Sequence, residues 1–389
     1  MLTQAQTLLP TLSHLRRTIH MNPELGFNLP KTTALVSKTL HDLGIEHETG
    51  IGKSGIVAHL GNGDGPVIGI RADMDALPIL EANDVPYKSQ TPGRMHACGH
   101  DSHTTMLLGV AMLLKDAPIP GEIRLLFQPS EEACDEEGIS GAPRMINDDA
   151  LKGVDAVIAL HVDGTVPVGK ISNMSGVVSA NVDTVFAKII GRGGHGAAPH
   201  FARDPIFMTA PILTALHGIV SRWVDPIQPA VVTVGRLVGG SASNVIPETV
   251  EMDITLRSLD DKVREQLLVE VENALAIARP LGGDYAIKIE RGYPFMLNDE
   301  KVVRWINQST EDLLGPEAIQ EGKVMMGAED FAFMTRIAPG AMFSLGVKPV
   351  DSPPRFLHAP NFDLDENALP IGAAILAETA LRFVQGKFG

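Results

Sequence analysis

Past residue 50 the apolar residues change period, and this change limits the fold more than any other feature of the chain. The runs "SGIVAHL", "PVIGIRAD", "EIRLLFQ" and "DAVIALH" are short and rich in β-branched residues or leucine. Segments of helical spacing at 103–115 and 141–149 separate the later ones. Strands apolar on both faces, alternating with helices, predict an α/β layer whose sheet is mostly parallel and flanked by helices. Two helices precede it. The first places Leu8, Leu12, Leu15 and Ile19 on one face and stops at Asn22-Pro23; the second spans 30–43, with Pro30 in its first turn and Gly44 just past its end.

From about residue 183 the pattern is different in kind. Strand "TVFAKII", helix "DPIFMTAPILTALHGIVSRW", strands "AVVTVGRL" and "TVEMDITLRS", helix "DKVREQLLVEVENALAIA" and strand "YAIKIER" follow in the order β-α-β-β-α-β. That order predicts a ferredoxin-like α+β domain. The α/β pattern then resumes with a helix at 300–314, the strand "GAMFSLGV" and a last helix at 369–383. The expected organisation is a main domain in two parts, 1–182 and 296–389, interrupted by an inserted domain over 183–295. A length of 389 residues also favours two cores over one.

Charge narrows the partners. With 32 basic against 47 acidic residues the net charge is −15, which repels nucleic acid and anionic lipid. No apolar run has the roughly 18 residues needed to span a bilayer, and Arg16-Arg17 follow the first apolar stretch, the reverse of a secretory leader. The expected compartment is the cytoplasm, where the two cysteines, Cys98 and Cys134, stay as free thiols.

Three of the expected strands run directly into polar chemistry: "VIGI" into Arg71-Ala72-Asp73-Met74-Asp75, "RLLF" into Gln128-Pro129-Ser130-Glu131-Glu132, and "AVIAL" into His161. Ligands of open α/β sheets bind beyond the carboxyl ends of strands, so these motifs should share one crevice. Between the first two lies "MHACGHDSH" (95–103). Cys98 and His100, separated by Gly99, can face one cavity from a loop ahead of the 103–115 helix; thiolate plus imidazole suits zinc or another late transition metal. Equally, Cys98 can be a small buried hydrophobe and the histidines helix caps. "EEACDEE" can be a solvated acidic turn, or Glu132 can bind metal while Glu131 acts as a base. His161 is an awkward polar intrusion at the end of an apolar strand. A lone histidine such as His358 is more often structural than a ligand. In the insert, "GRGGHGAAPH" lacks the spacing of a nucleotide loop and presents His195 among glycines, while "GGSASNVIP" offers Asn244 from a loop.

Taken in order, "HMNPELGF", "RADMDALP", "MHACGHDSHTTMLLG", "FQPSEE", "ALHV", "GRGGHGAAPH", "GGSASNVIP", "GAEDFAF" and "LHAPNFD" resemble the amidohydrolase branch of the di-metal metallopeptidases over nearly the whole chain. That branch includes aminoacylases, hippurate hydrolases, auxin-conjugate hydrolases, N-acetyl-diaminopimelate deacetylases and carboxypeptidases. The resemblance implies two divalent ions (zinc, manganese or cobalt) held by Cys98, His100, Glu132, His161 and His358, with Glu131 as base. It implies that the insert is a lid that also makes a dimer contact. His195 would approach the substrate as a catalytic group, Asn244 and Arg257 would bind it, and Asp75 and Asp101 would orient histidine ligands from behind. The substrate would be a small N-acyl amino acid or short peptide with a free carboxylate, cleaved at its amide by a metal-bridged water. Two departures stand out. Asp73-x-Asp75 replaces the His-x-Asp of the wider superfamily, so Cys98-x-His100 would substitute for the missing histidine. A second pair, Glu136-Glu137, competes with Glu131-Glu132 for the catalytic roles. Two other readings stay open: a non-catalytic metal- or ligand-binding protein on the same fold, and an amidase using Cys98 as nucleophile.

Overall fold

The computed structural model describes residues 1–388, which divide into two compact units. The first comprises Met1–Val178, Leu297–Lys323 and Asp330–Gly389; the second comprises Ser179–Met296 and Val324–Glu329. The short return at 324–329 carries no sequence signal of its own.

An eight-stranded sheet forms the first unit. Its order runs from the edge strand Glu46–Ile51 through Gly55–Gly61, Glu122–Gln128, Val67–Asp73, Ala156–Pro167, Gly340–Lys348 and Ile171–Asn173 to Ile319–Glu321. The four central strands, Glu122–Gln128 to Gly340–Lys348, are mutually parallel, while Gly55–Gly61 pairs antiparallel on one side. The edge strand Glu46–Ile51 is polar and largely exposed, so no apolar alternation announces it.

One helix sets the position of the chemistry. His100–Leu114 begins three residues earlier than the sequence reading placed it, so His100 is its first residue and not part of a loop. Nearly every side chain on it is buried, which is why no amphipathic stripe marks its start. It packs on helices Leu9–Met21 and Ala368–Val384. Close approach to the latter requires glycine on both partners: a Cβ at Gly109 would lie 2.9 Å from the Ala373 Cβ, and one at Gly372 only 2.1 Å from the Met106 sulfur. The core beneath includes Ile68, Ile70, Phe127, Ile158 and Phe343, all at or below 1% exposure. Each such side chain contributes roughly 1.5–3 kcal/mol by leaving water.

Buried charge ties the segments together. Arg16, on helix Leu9–Met21, reaches Asp101 at 2.8 Å and Asp363 at 3.1 Å with no exposure of its own. His20 on the same helix sits between Asp101 (2.7 Å) and Glu81 (3.1 Å).

The second unit is a four-stranded antiparallel sheet in the order Ala230–Gly239, Thr249–Ser258, Asn181–Ile190, Asp284–Arg291. Helices Pro205–Arg222 and Asp261–Leu275 complete the β-α-β-β-α-β succession. Its own core is built from Val185, Ile189, Ile212, Leu216, Ile254 and Leu267. Asp204 and Asp260 start the two helices by accepting backbone N–H groups of the first turn.

Candidate metal centre

The parallel strands Val67–Asp73, Glu122–Gln128 and Ala156–Pro167 are neighbours, so the three polar motifs emerge side by side. Two donor triads form there: Cys98, His100 and His161, and Cys98, Glu132 and His358; within each, the ligand atoms lie within 4.8 Å of one another. Cys98 belongs to both. His100, Glu131 and Glu132 form a third group of the same compactness. All five ligand residues named from the sequence, and the neighbouring Glu131, are thus brought together within the first unit. Glu136 and Glu137 are exposed, and Glu137 is paired with Arg144 at 2.6 Å, away from the donors.

Local geometry aims each donor. Gly99, with φ +85°, is the N-cap of helix His100–Leu114 and turns the chain so that Cys98 and His100 face one point. His100 Nδ1 donates to the Asp75 carbonyl at 2.9 Å, and His161 Nδ1 donates to the Val162 carbonyl at 2.9 Å. A carbonyl only accepts, so each bond leaves Nε2 as the free lone pair. His358 is held in the left-handed region at φ +59°, its N–H donating to the Ala97 carbonyl at 2.8 Å. Ser130, just before the two glutamates, is another non-glycine residue at positive φ, +50°. Strain of this kind costs roughly 1–3 kcal/mol per residue and gathers at functional sites.

The donor set fits a bound cation on two observations. His100 Nε2 is buried with no hydrogen-bond partner, and Glu132 Oε1 is likewise buried without an aligned donor although His358 Nε2 lies 3.1 Å away. Charge tells the same story. Burial opposes the imidazolium of His100, yet Asp73, Asp75 and Glu132 push it up to about 10. Carboxylates that hold a proton this tightly would hold a divalent ion in its place. Burial, joined by Glu132, Glu131 and Asp73, pushes the Cys98 thiol well up. A cysteine nucleophile needs the opposite environment, which disfavours the cysteine-amidase reading; a thiol ligand loses its proton to the metal outright.

Behind the donors the structure extends one sequence role and corrects another. Asp75 does more than back a histidine: its Oδ1 and Oδ2 accept the N–H groups of Glu131 (3.0 Å) and Glu132 (3.1 Å). Charge-assisted bonds of this type are worth roughly 1.5–3 kcal/mol each. Asp101 faces Arg16 and His20, not a ligand histidine, because the helix turns it toward Leu9–Met21. Asp73 groups with His100 and His103, but its carboxylate is already engaged. Its oxygens accept from Arg71 Nη1 at 2.7 Å and His103 Nδ1 at 2.6 Å. Asp330, within the quoted "GAEDFAF" but given no role from sequence, accepts from Arg71, Gln128, Ser140 and the N–H of Ala142. His96 belongs to none of the donor clusters; burial takes it down to about 3, and neither ring nitrogen has a hydrogen-bond partner.

In the second unit His195 and Asn244 come together on a two-stranded ribbon, Gly194–His195 against Val245–Ile246, with the Gly196 N–H donating to the Asn244 carbonyl at 2.8 Å. Both are exposed. His195 Nδ1 accepts from the Ala197 N–H at 3.0 Å, so Nε2 carries the proton as an outward donor. Arg257 lies on strand Thr249–Ser258, donates to the Met326 carbonyl at 2.9 Å and has no carboxylate in its ion-pair range among the described residues. Burial lowers its pKa.

A buried cysteine shared by two compact triads, with a carboxylate beside them, matches the donor pattern of a metal-dependent hydrolase of the two-ion kind. The profile of peptidase family M20/M25/M40 matches residues 69–382, and the chain belongs to that family. It is 39% identical to thermostable carboxypeptidase 2 of Saccharolobus solfataricus, over 95% of this chain and 94% of the relative. It is 36% identical to IAA-amino acid hydrolase ILR1-like 2 of Arabidopsis thaliana, over 96% and 85%. Among solved structures, the Bacillus subtilis YXEP protein, a dinuclear metal-binding peptidase of family M20, superposes with a TM-score of 0.83 at 31% identity, covering 98% of this chain and 99% of that one. The protein is a metal-dependent amide or peptide hydrolase that uses divalent ions. Among the described residues no helix is long and apolar enough to cross a membrane.

Proposed function

We propose that the protein hydrolyses the amide bond of N-acyl amino acids or short peptides bearing a free α-carboxylate, at two divalent ions held by Cys98, His100, Glu132, His161 and His358. The sharing of Cys98 between two triads, with Glu131 anchored beside them by Asp75, carries this reading. When bound, such ions lower the pKa of water and polarise the scissile carbonyl. Glu131 accepts the proton of the attacking water; the C–N bond breaks as the same proton passes to the leaving nitrogen. The outward Nε2–H of His195 is suited to the developing oxyanion, and Arg257, lacking a carboxylate of its own, to the substrate's carboxylate. Asn244, adjacent to His195, would bind the same substrate.

Under this reading the second unit is the lid, and its exposed edge strand Ala230–Gly239, with Leu237 and Val238 open to solvent, supports a dimer or tetramer formed through it. Zinc, manganese and cobalt are the candidate ions, and the cytoplasm the candidate compartment. The test is Glu131→Gln with a panel of N-acetyl, N-benzoyl and dipeptide substrates, each run after chelation and re-addition of metal. The variant should retain its ions and lose turnover by at least ~10²-fold. Undiminished hydrolysis would remove Glu131 as base. Wild-type protein that binds ions but cleaves nothing in the panel would remove this substrate class.

A further inference from the structure

A buried chain of polar groups ends at the peptide N–H that directly follows one donor, His161. Asp330 holds Arg71 (2.8 Å); Arg71 holds Asp73 (2.7 Å); Asp73 accepts from His103 Nδ1 (2.6 Å); and His103 Nε2 accepts the N–H of Val162 at 2.9 Å. Gln128 braces Arg71 at 2.9 Å. Every side chain in the chain is at most 2% exposed. The tautomer follows from the partners alone. A peptide N–H can only donate, so Nε2 of His103 is a lone pair and its proton is on Nδ1, facing the carboxylate.

Val162 is the residue whose carbonyl fixes the His161 ring, leaving His161 Nε2 3.4 Å from the Cys98 sulfur. Resting on the two-ion reading above, the geometry points to His103 as a positioning residue for one half of the centre: by clamping the Val162 N–H it aligns the carbonyl that sets the tautomer and direction of His161. The Cys98–His100–His161 triad depends on this clamp. The Cys98–Glu132–His358 triad does not, since His358 is placed by Ala97 and Glu132 by Asp75. The effect is therefore asymmetric, which a general loss of packing would not be.

Cobalt(II) titration of the metal-free full chain tests this, following d–d absorption and the Cys98 thiolate-to-metal band. Two variants separate the contacts. His103→Asn places its amide where Nδ1 was, keeps a donor for Asp73 and has no acceptor at Val162. His103→Gln extends an amide oxygen to the Nε2 position and restores that acceptor. Wild-type protein should take up two equivalents. His103→Asn should bind one equivalent within about threefold of wild type and the other 10–100-fold more weakly. His103→Gln should recover most of that loss. Equal weakening of both equivalents, no weakening, or the same titration for Asn and Gln would overturn the assignment. Uptake by the wild type of one equivalent or none would instead overturn the two-ion reading, and this one with it. Thermal unfolding of the metal-free forms sets the control: the two variants should melt within a few degrees of each other.

Discussion

Gly99→Ala tests how the donor geometry is built. The substitution meets two obstacles that can be separated. At φ +85° an L side chain is in the left-handed region, costing roughly 1–2 kcal/mol. In addition, its Cβ would lie 2.4 Å from Val162 Cγ2, far inside the roughly 3.5–4.0 Å at which carbon atoms attract. Val162 is 1% exposed, its N–H bound by His103 and its carbonyl by His161, so it has little room to retreat. Overpacking of this kind costs roughly 1–3 kcal/mol, giving about 2–5 kcal/mol in all. Because Val162 adjoins His161, relief of the clash moves His161 away from Cys98 and His100, and metal affinity falls with stability. Val162→Ala alone removes two methyl groups, a loss of roughly 2 kcal/mol. The double variant loses the clash but keeps the φ strain. Urea denaturation and cobalt titration of the four proteins in this cycle should show the second substitution rescuing the first by about 1–3 kcal/mol. Strict additivity, within about 0.5 kcal/mol, would refute the claim that the Gly99–Val162 contact sets the geometry.

Two further outcomes follow from charge. Arg16→Met removes the guanidinium that bridges Asp101 and Asp363, leaving Asp101 to His20 and Asp363 to Tyr87 and Arg355; breaking such a buried pair costs roughly 3–5 kcal/mol, or about 5–15 °C in the melting of the first unit. Differential scanning calorimetry showing a shift of under ~2 °C would contradict it. Glu122 is the acid-range probe: burial alone would raise its pKa, but His59 and Arg124 hold it down at about 2. A carboxylate lowered on folding stabilises above its unfolded value, roughly 4.3, and loses that contribution as pH falls toward 2. After discounting for its partly wet setting, Glu122→Gln should cost about 1 kcal/mol from pH 5 to 8, and the gap should narrow below about pH 4 in urea titrations. A gap that widens on acidification would reverse the assignment.

The parts of the molecule legible in the sequence are those whose chemistry is local. Alternating strands and helices, the β-α-β-β-α-β order and the polar residues at strand ends each follow from a few neighbours, and all locate in the structure close to where periodicity puts them. The parts that escaped depend on distant segments. The start of helix His100–Leu114 is hidden in the sequence, where periodicity begins only at His103, because a helix buried on all sides shows no stripe and its first turn looks like a polar loop. Adjacency to His100 points Asp101 at a donor, whereas its partner is Arg16, 85 residues away. The role of His103 is hidden in the same way, since its partners Asp73 and Val162 are distant in sequence. Nothing in "GHDSH" distinguishes a histidine that binds metal from one that receives a peptide N–H, and only the pairing of Asp73 with Val162 around it does so. Sequence names donor types well because coordination chemistry restricts them to a few side chains, whereas the groups that aim those donors need only be polar and buried. Mutational effects at this centre should accordingly be as large for Asp75 and Gly99 as for the weaker of the ligands themselves, since donors of the right type in the wrong direction hold no ion.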